Sequence, residues 1–224
     1  MMKKIVKRTI PIFLMIMIVG FFLVSCKKKT TNYYVRQELK DWGYFQAGSQ
    51  WEYRNDSTGE SETVFEYNAP EDRMIGGSDV GRYDEQITMS LNSSFLHGYI
   101  LNFDCNSSYS TDDESSHTDK LEVSLLINNV DWPLVAIWPD EPMNENKPLP
   151  CSGQTMSLKT EIIQDYHIDT NHFTNVLHST LTKTNTYKYD FYFAKHIGLL
   201  HFNENNTFYN LHRSYSLESW NVKQ

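Results

Sequence analysis

The chain has 224 residues, 40% of them hydrophobic and 14% aromatic, with 28 acidic against 20 basic residues and a formal net charge of −8. An acidic balance of this size argues against nucleic acid as a partner, since phosphate binding draws on clustered Lys and Arg. The length suits one domain of ordinary size.

Residues 1–25 fall into three zones: a basic start with Lys3, Lys4, Lys7 and Arg8, an apolar stretch from Ile10 to Val24, and Ser25 just before Cys26. That is the layout of a secretory signal peptide. As a helix, Ile10–Val24 would rise only about 22 Å, short of the roughly 30 Å hydrocarbon core a permanent span must cross. A cleaved leader is therefore expected in preference to a retained anchor. The segment Leu23-Val24-Ser25-Cys26 resembles the bacterial lipobox, and Cys26 is expected to carry lipid, holding the protein to a membrane through buried acyl chains. The leader contains four of the 20 Lys and Arg and none of the 28 acids, so residues 26–224 keep 16 cations against 28 acids, a formal net charge of −12.

Residues 26–43 read as a lipidated tether with a turn or two of helix, beginning with Lys27, Lys28 and Lys29. These cations suit either a weak contact with anionic head groups or a solvated leash. From residue 44 to 224 the dominant signal is alternation, the period of a half-buried strand. Trp51 and Tyr53, then Thr63, Phe65 and Tyr67 after the turn Asp56–Gly59, predict a hairpin, and the same period recurs at Ile87–Leu91, Tyr99–Phe103 and Leu121–Ile127. Two strands are expected around MSLKTEII and FTNVLHSTL, followed by a three-strand meander from Tyr187 to Trp220. The fold class is mainly β: a single antiparallel, strongly curved sheet or half-open barrel of about nine or ten strands with little helix.

Two intervals break the pattern. Residues 131–151 hold five of the seven prolines, at 133, 139, 142, 148 and 150, and proline cannot donate to a ladder. An irregular crossover is expected there, serving to cover a sheet edge, plug one end of a barrel, or act as a lid over a ligand cavity. The acidic, serine-rich stretch from Ser107 to Asp119 reads as a solvated loop.

Chemical motifs are sparse. Asp165, His167, Asp169 and His172 form the densest potential metal-binding group. No HExxH or Cys-x-x-Cys accompanies it, so an exposed polar strand end is the expectation and no metal or other cofactor is assigned. There is no Gly-x-Ser-x-Gly elbow, and Gly76, Gly77 and Gly81 are not followed by Lys-Ser or Lys-Thr, so a non-enzymatic protein is expected. Cys105 and Cys151 are the two thiols left once Cys26 is lipidated, and a disulfide between them is expected against the alternative of two buried free thiols. Tyr187, Tyr189, Phe191 and Phe193 share one strand face, where they either fill a core or line a ligand cavity.

The stretch YFQAGSQWEYRNDSTGE, with Phe45, Gly48, Ser49, Trp51 and Tyr53, together with FTNVLHSTL and the late FYFAKHIGLLHF, with Ala194, Lys195, Gly198 and Leu199, resembles a broad group of uncharacterised Bacteroidota lipoproteins. The likeness covers both ends of the mature chain and not its middle, and His196 and Ile197 stand where that group carries small residues. The resemblance implies a lipid-anchored outer-membrane protein, with Lys27 favouring the periplasmic face over the cell surface. It also points to Asp56-Ser57-Thr58 as an O-glycosylation motif at Ser57, with an ordinary turn as the alternative. Two functions follow: a non-catalytic binding or carrier module for an apolar, glycan or peptide ligand, or a structural subunit holding an envelope protein.

Overall fold

The computed structural model describes residues 30–65, 69–77, 82–92, 100–109, 117–127, 130–137, 147–151, 154–183, 186–208 and 210–223. Contacts divide the chain into a small unit, Met1–Asn32 with Gly76–Tyr83, and a large one, Tyr33–Ile75 with Asp84–Gln224. The small unit holds most of β1 (Thr31–Tyr33) and the facing ends of β4 (Glu71–Gly77) and β5 (Arg82–Asn92). Everything that follows concerns the large unit.

Its remaining elements are α1 (Gln37–Gly43), β2 (Gln50–Asn55), β3 (Ser61–Phe65), β6 (Ile100–Tyr109), β7 (His117–Ile127), β8 (Val130–Ile137), β9 (Lys147–Cys151), β10 (Gln154–Ile168), β11 (Asn171–Lys183), β12 (Tyr187–Ala194), β13 (Gly198–Asn206) and β14 (Leu211–Asn221). The fold is mainly β, as the alternation predicts, and its large sheet is antiparallel. Along the sheet the order is β8-β7-β6-β5-β3-β2-β14-β13-β12-β11-β10-β9. Among the described residues β5 pairs with β3 through Asn92 and Phe65; the order contains β5 to β8 and the seven antiparallel strands from β3 to β10, with β9 at their flank. The expected meander is present as β12-β13-β14, and the expected hairpin as β2-β3.

Two expectations need correction. The strands number fourteen among the described residues, against nine or ten expected, and no closed or strongly curled sheet is found, so the half-open barrel does not hold. The extra strands come partly from the proline-rich interval, which supplies β8 and β9. These strands tolerate Pro133, Pro148 and Pro150 because they are the two ends of the order, where one side of the backbone needs no ladder donor. Pro148 and Pro150 stand two residues apart, opposite Ser157 and Thr155. With no N–H at either position, they blunt that edge against pairing with another chain. The loop expected at 107–119 is likewise shortened, as β6 runs to Tyr109 and β7 begins at His117.

The core forms on the face carrying Trp51, Tyr53, Val64, Leu177, Leu181, Phe191, Phe193, Phe202 and Leu217, joined by Ile87, Met89, Leu91, Leu121 and Val123 of β5 and β7. Helix α1 belongs to it as well. Leu39 and Trp42, an i, i+3 pair on its inner face, are buried together with Val35 just ahead of the helix, which makes the second half of the expected tether an integral part of the domain. Two buried carboxylates dock this segment. Glu85 accepts from the Val35 N–H at 2.6 Å and the Lys40 ammonium at 2.9 Å, and Asp119 accepts from the Arg36 N–H and Nε at 2.9 and 3.1 Å. Both stand at the N-terminal side of the helix, where unpaired N–H groups and the helix dipole favour negative charge.

Candidate functional site

Residues far apart in sequence, from Phe45 to Tyr53 and from Ala194 to Leu199, converge at the end of the core beside α1. Phe45 and Trp51 are fully buried and meet edge to face at 5.1 Å. The Trp51 indole N–H donates to the Ile197 carbonyl, and the Tyr53 hydroxyl donates to the Leu199 carbonyl at 2.7 Å; burial pushes the Tyr53 phenol well above its usual range. Gly198 has φ +97°, and a Cβ there would sit 3.1 Å from the Phe45 ring. Only glycine meets both conditions without strain. His196 is also left-handed, at φ 62°, and its N–H donates to the Asp41 carbonyl at 2.6 Å, so the turn accepts this non-glycine residue by tying it to α1. Lys195 lies over the Trp42 ring at 5.4 Å, and Ser49 accepts from the Lys223 N–H at 3.0 Å. Each of these groups is committed to a structural partner, and together they close this end of the core.

The opposite end is open. Where β2 runs out at Asn55, a cavity of about 490 Å³ is lined by Asn55, Glu60, Ser61, Glu62 and Tyr215. The register explains the lining: Tyr215 pairs with Asn55 and Glu62 with Tyr53, so these residues continue the core face past its last apolar layer. One step further along β13 and β14, Arg213 pairs with the buried Glu204, which also accepts from the Tyr189 hydroxyl at 3.3 Å. The hydroxyl of Ser61 donates to Glu218 at 2.7 Å, and Arg54 bonds the same carboxylate at 3.2 Å. A concave polar lining of this volume suits a small hydrophilic ligand.

The four aromatics of β12 grade between these ends. Phe191 and Phe193 are buried, with Phe191 stacked at 5.0 Å on Phe202, while Tyr189 and Tyr187 are half-buried nearer the open end. The stack from 193 to 187 therefore fills the core at one end and approaches the polar mouth at the other.

A third arrangement lies on the other face of the sheet, and sequence reading did not find it. Register aligns Glu161, His178, Tyr192, His201, Ser216 and Arg54 in one row across β10, β11, β12, β13, β14 and β2. His178 bridges Glu161 and Asp190 at 3.0 Å each, and Asp190 also takes Thr180 at 2.7 Å and Lys188 at 2.7 Å. The hydrogen bond to Asp190 holds the His178 pKa above its ordinary value despite burial. Burial alone would raise Asp190, but its bonds from His178, Lys188 and Thr180 outweigh that and keep it far below the usual carboxylate range. His201 goes the other way, because burial lowers its pKa. The Tyr166 hydroxyl, itself raised by burial, donates to Nδ1 of a neutral His201, leaving Nε2–H to donate to Ser214 at 3.0 Å and the Ser214 hydroxyl to donate to Asp56. The rings of His178 and His201 stack on Tyr192 at 4.4 and 5.3 Å. Tyr192 is thus flanked by its neighbours and offers no open ring face for a ligand. The only cross-strand signal in the sequence was one polar, ring-bearing residue on each of three neighbouring strands.

Of the other candidate residues, Asp165, His167, Asp169 and His172 gather at the β10-β11 turn without converging on a point. His172 bonds Asp165 at 3.0 Å, His167 stacks on His172 at 4.5 Å, and Asp169 turns to Arg54 at 2.9 Å. No group of three or more metal-binding side chains is found among the described residues. Ser57 is exposed in the β2-β3 turn, its N–H donating to Asn55 Oδ1 at 2.9 Å, while the carboxylate of Asp56 accepts from Ser214 and Ser216. Register places Cys105 opposite Ile87 and Leu121, and Cys151 opposite Gln154. Cys26 lies outside the described residues.

The chain matches no protein-family model, no curated protein and no solved structure.

Proposed function

We propose that this protein is a lipid-anchored lipoprotein of the bacterial outer membrane, akin to the Bacteroidota group it resembles. In this reading it is a non-catalytic binding module on the periplasmic face, and its ligand is polar, a glycan or peptide. The observation that carries the reading is the polar cavity of about 490 Å³ at one end of a core whose other end is closed by α1. The lining, with Glu60, Glu62, Asn55 and the Tyr215 ring, supports a hydrophilic ligand over an apolar one, and the burial of Phe191 and Phe193 gives an apolar cargo little room beside them. The alternative, an assembly subunit that joins a partner through its sheet edge, draws less support because prolines stand in both end strands. Calorimetric titration of the acylated chain with neutral oligosaccharides and with short peptides tests the proposal. Binding by one class, weakened at least tenfold by Glu62→Gln with Tyr215→Ala, is expected; binding that survives both substitutions would move the site elsewhere.

A further inference from the structure

We infer that residues 165–174, the end of the β10-β11 hairpin, form a strap that lies across the sheet on the face opposite the core. It hinges at Asn175 and lifts off as one unit, baring the Tyr192 ring beside His201.

The strap is defined by where the hairpin leaves its neighbour. β11 pairs with β12 from Leu177 to Lys183, whereas its pairing with β10 continues out to Asn171 and Ile168. The contacts of this extension fall on β12 and on strands well beyond it. The Tyr166 ring stacks on Tyr192 of β12 at 4.6 Å, and its hydroxyl reaches Nδ1 of His201 on β13. Phe173 meets Trp220 of β14 at 5.8 Å, and Asp169 bonds Arg54 of β2 at 2.9 Å. Between β11 and β2 in the sheet stand β12, β13 and β14, a crossing of roughly 19 Å at about 4.8 Å per strand. Extended chain from Val176 to Thr170 spans about the same length at about 3.3 Å per residue. The hairpin end therefore crosses the strands instead of following them. Tyr166, Ile168 and Phe173 turn toward the sheet, and Asp165, His167, His172 and Thr174 are exposed on the other side.

The bend is concentrated at one residue. Asn175 is left-handed, at φ 54°, a conformation that asparagine tolerates and β-branched residues avoid. The ladder runs from Ile163 with Val176 to Asp165 with Thr174, passing over Gln164 and Asn175, and keeps the same register on both sides. Returning Asn175 to extended backbone would straighten the hairpin without re-pairing either strand. What holds the strap down is the burial of Ile168 and Phe173 and the stack of Tyr166 on Tyr192, while the solvent-exposed Asp169–Arg54 pair adds little. Closure is thus the resting state, and opening leaves the hairpin's own ladder in place.

The test follows a thiol placed under the strap. In the full acylated chain, Ile168→Cys is reacted with a maleimide under native conditions and read by mass spectrometry on its own peptide. Leu181→Cys, fully buried in β11 outside the strap, reports global unfolding, and Leu199→Cys in β13 takes its place if that variant does not fold. Position 168 should react at least tenfold faster than the reporter position. Asn175 is exposed, so substitutions there act through the backbone. Asn175→Gly, which accepts the left-handed conformation freely, should slow reaction at 168 at least threefold, and Asn175→Val should speed it at least threefold, each with a smaller change at the reporter. Equal rates at 168 and at the reporter would overturn the strap as a separate unit. Rates at 168 that do not respond to the two Asn175 variants, or respond in the same direction to both, would overturn the hinge.

Discussion

The two ends of strand β2 begin from similar material and finish differently. At its start, Trp51 and Tyr53 spend their polar atoms on the carbonyls of Ile197 and Leu199, and Phe45, Gly198 and α1 fill the remaining space. At its finish, Asn55 and Tyr215 line a cavity beside Glu60 and Glu62. Aromatic and polar residues occur at both ends, so composition does not separate a structural lock from a candidate site. The difference is whether the groups fill the space between them, as Phe45, Trp51 and Gly198 do, or leave a cavity, as Asn55 and Tyr215 do. Residues that close a core say nothing about ligand, and the mouth, which no motif marks, is the better place to look.

The largest effect should come from the closed end. Trp51→Ala removes a fully buried ring and its hydrogen bond, and should destabilise the domain by about 3–5 kcal/mol. The urea midpoint is expected to drop for the whole domain in one transition. Glu60→Gln, on the exposed rim of the mouth, should stay within about 0.5 kcal/mol of the parent. Comparable losses for both would mean that the two ends do not differ in the way proposed.

Next in size is the docking of α1. Glu85→Gln keeps the shape of the side chain but removes the charge facing Lys40 and weakens the bond to the Val35 N–H, for a cost of about 2–3 kcal/mol. The loss should be local. Hydrogen exchange at residues 37–43 is expected to quicken several-fold while amides of β11 to β13 keep their protection, and uniform loss of protection would show that α1 does not open as a separate clasp.

How far this contrast was legible beforehand depends on what kind of information each part needs. Alternation is local, so the β2-β3 hairpin and the β12-β14 meander could be read directly. Leu39 and Trp42, with Val35 just ahead of the helix, were equally local, but two apolar residues in a seven-residue helix are too few to outweigh the polar residues around them. The row Glu161–His178–Tyr192–His201 depends on cross-strand register, which no single strand encodes. The mouth was hidden for a related reason: Asn55, Glu60 and Glu62 are ordinary hairpin residues until Tyr215 is brought beside them. The prolines of 131–151 point to an irregular crossover, but Pro133, Pro148 and Pro150 lie in paired end strands, a place that requires knowing where the sheet stops.

Two left-handed glycines give a sharper, smaller comparison. Gly198 and Gly59 both have positive φ, +97° and +75°, but a Cβ at Gly198 would press on Phe45 whereas at Gly59, in the turn near the mouth, nothing lies within 4 Å. Gly59→Ala should therefore cost only the backbone strain, about 1 kcal/mol, and Gly198→Ala should cost that strain plus the crowding of a packed ring, about 2 kcal/mol or more. Equal costs from chemical denaturation would mean that Phe45 yields freely and that the closed end is less tightly packed than its geometry implies.

The smallest expected effect concerns pH, and it divides the outer sheet face in the same manner. His178 has its pKa raised by Asp190 and Glu161, so the stability it contributes is fully present below its ordinary value of 6.5 and is lost as pH rises through the higher folded value. His201 has its pKa lowered by burial, so the folded protein holds it neutral; its penalty is absent above 6.5 and grows as pH falls toward the lower folded value. The two act in adjacent windows, so the parent protein should be most stable near 6.5 and weaken on either side. Substitution separates them. His178→Gln should remove the loss on the alkaline side and leave a protein that weakens only toward acid, whereas His201→Gln should remove the acid-side penalty and leave one that weakens only toward base. Both variants keep a side chain able to bond one neighbour, which limits the loss unrelated to titration. Urea midpoints measured from pH 5 to 9 decide the matter: if the difference between either variant and the parent is flat across that range, the histidine in question is not wired to the carboxylates or the burial that its surroundings imply. Asp190 sets the lower limit of the window. Its folded value is held below the ordinary 3.8 by His178, Lys188 and Thr180, so its stabilisation is complete above that value and should begin to fail only in stronger acid, outside the range where the two histidines are compared.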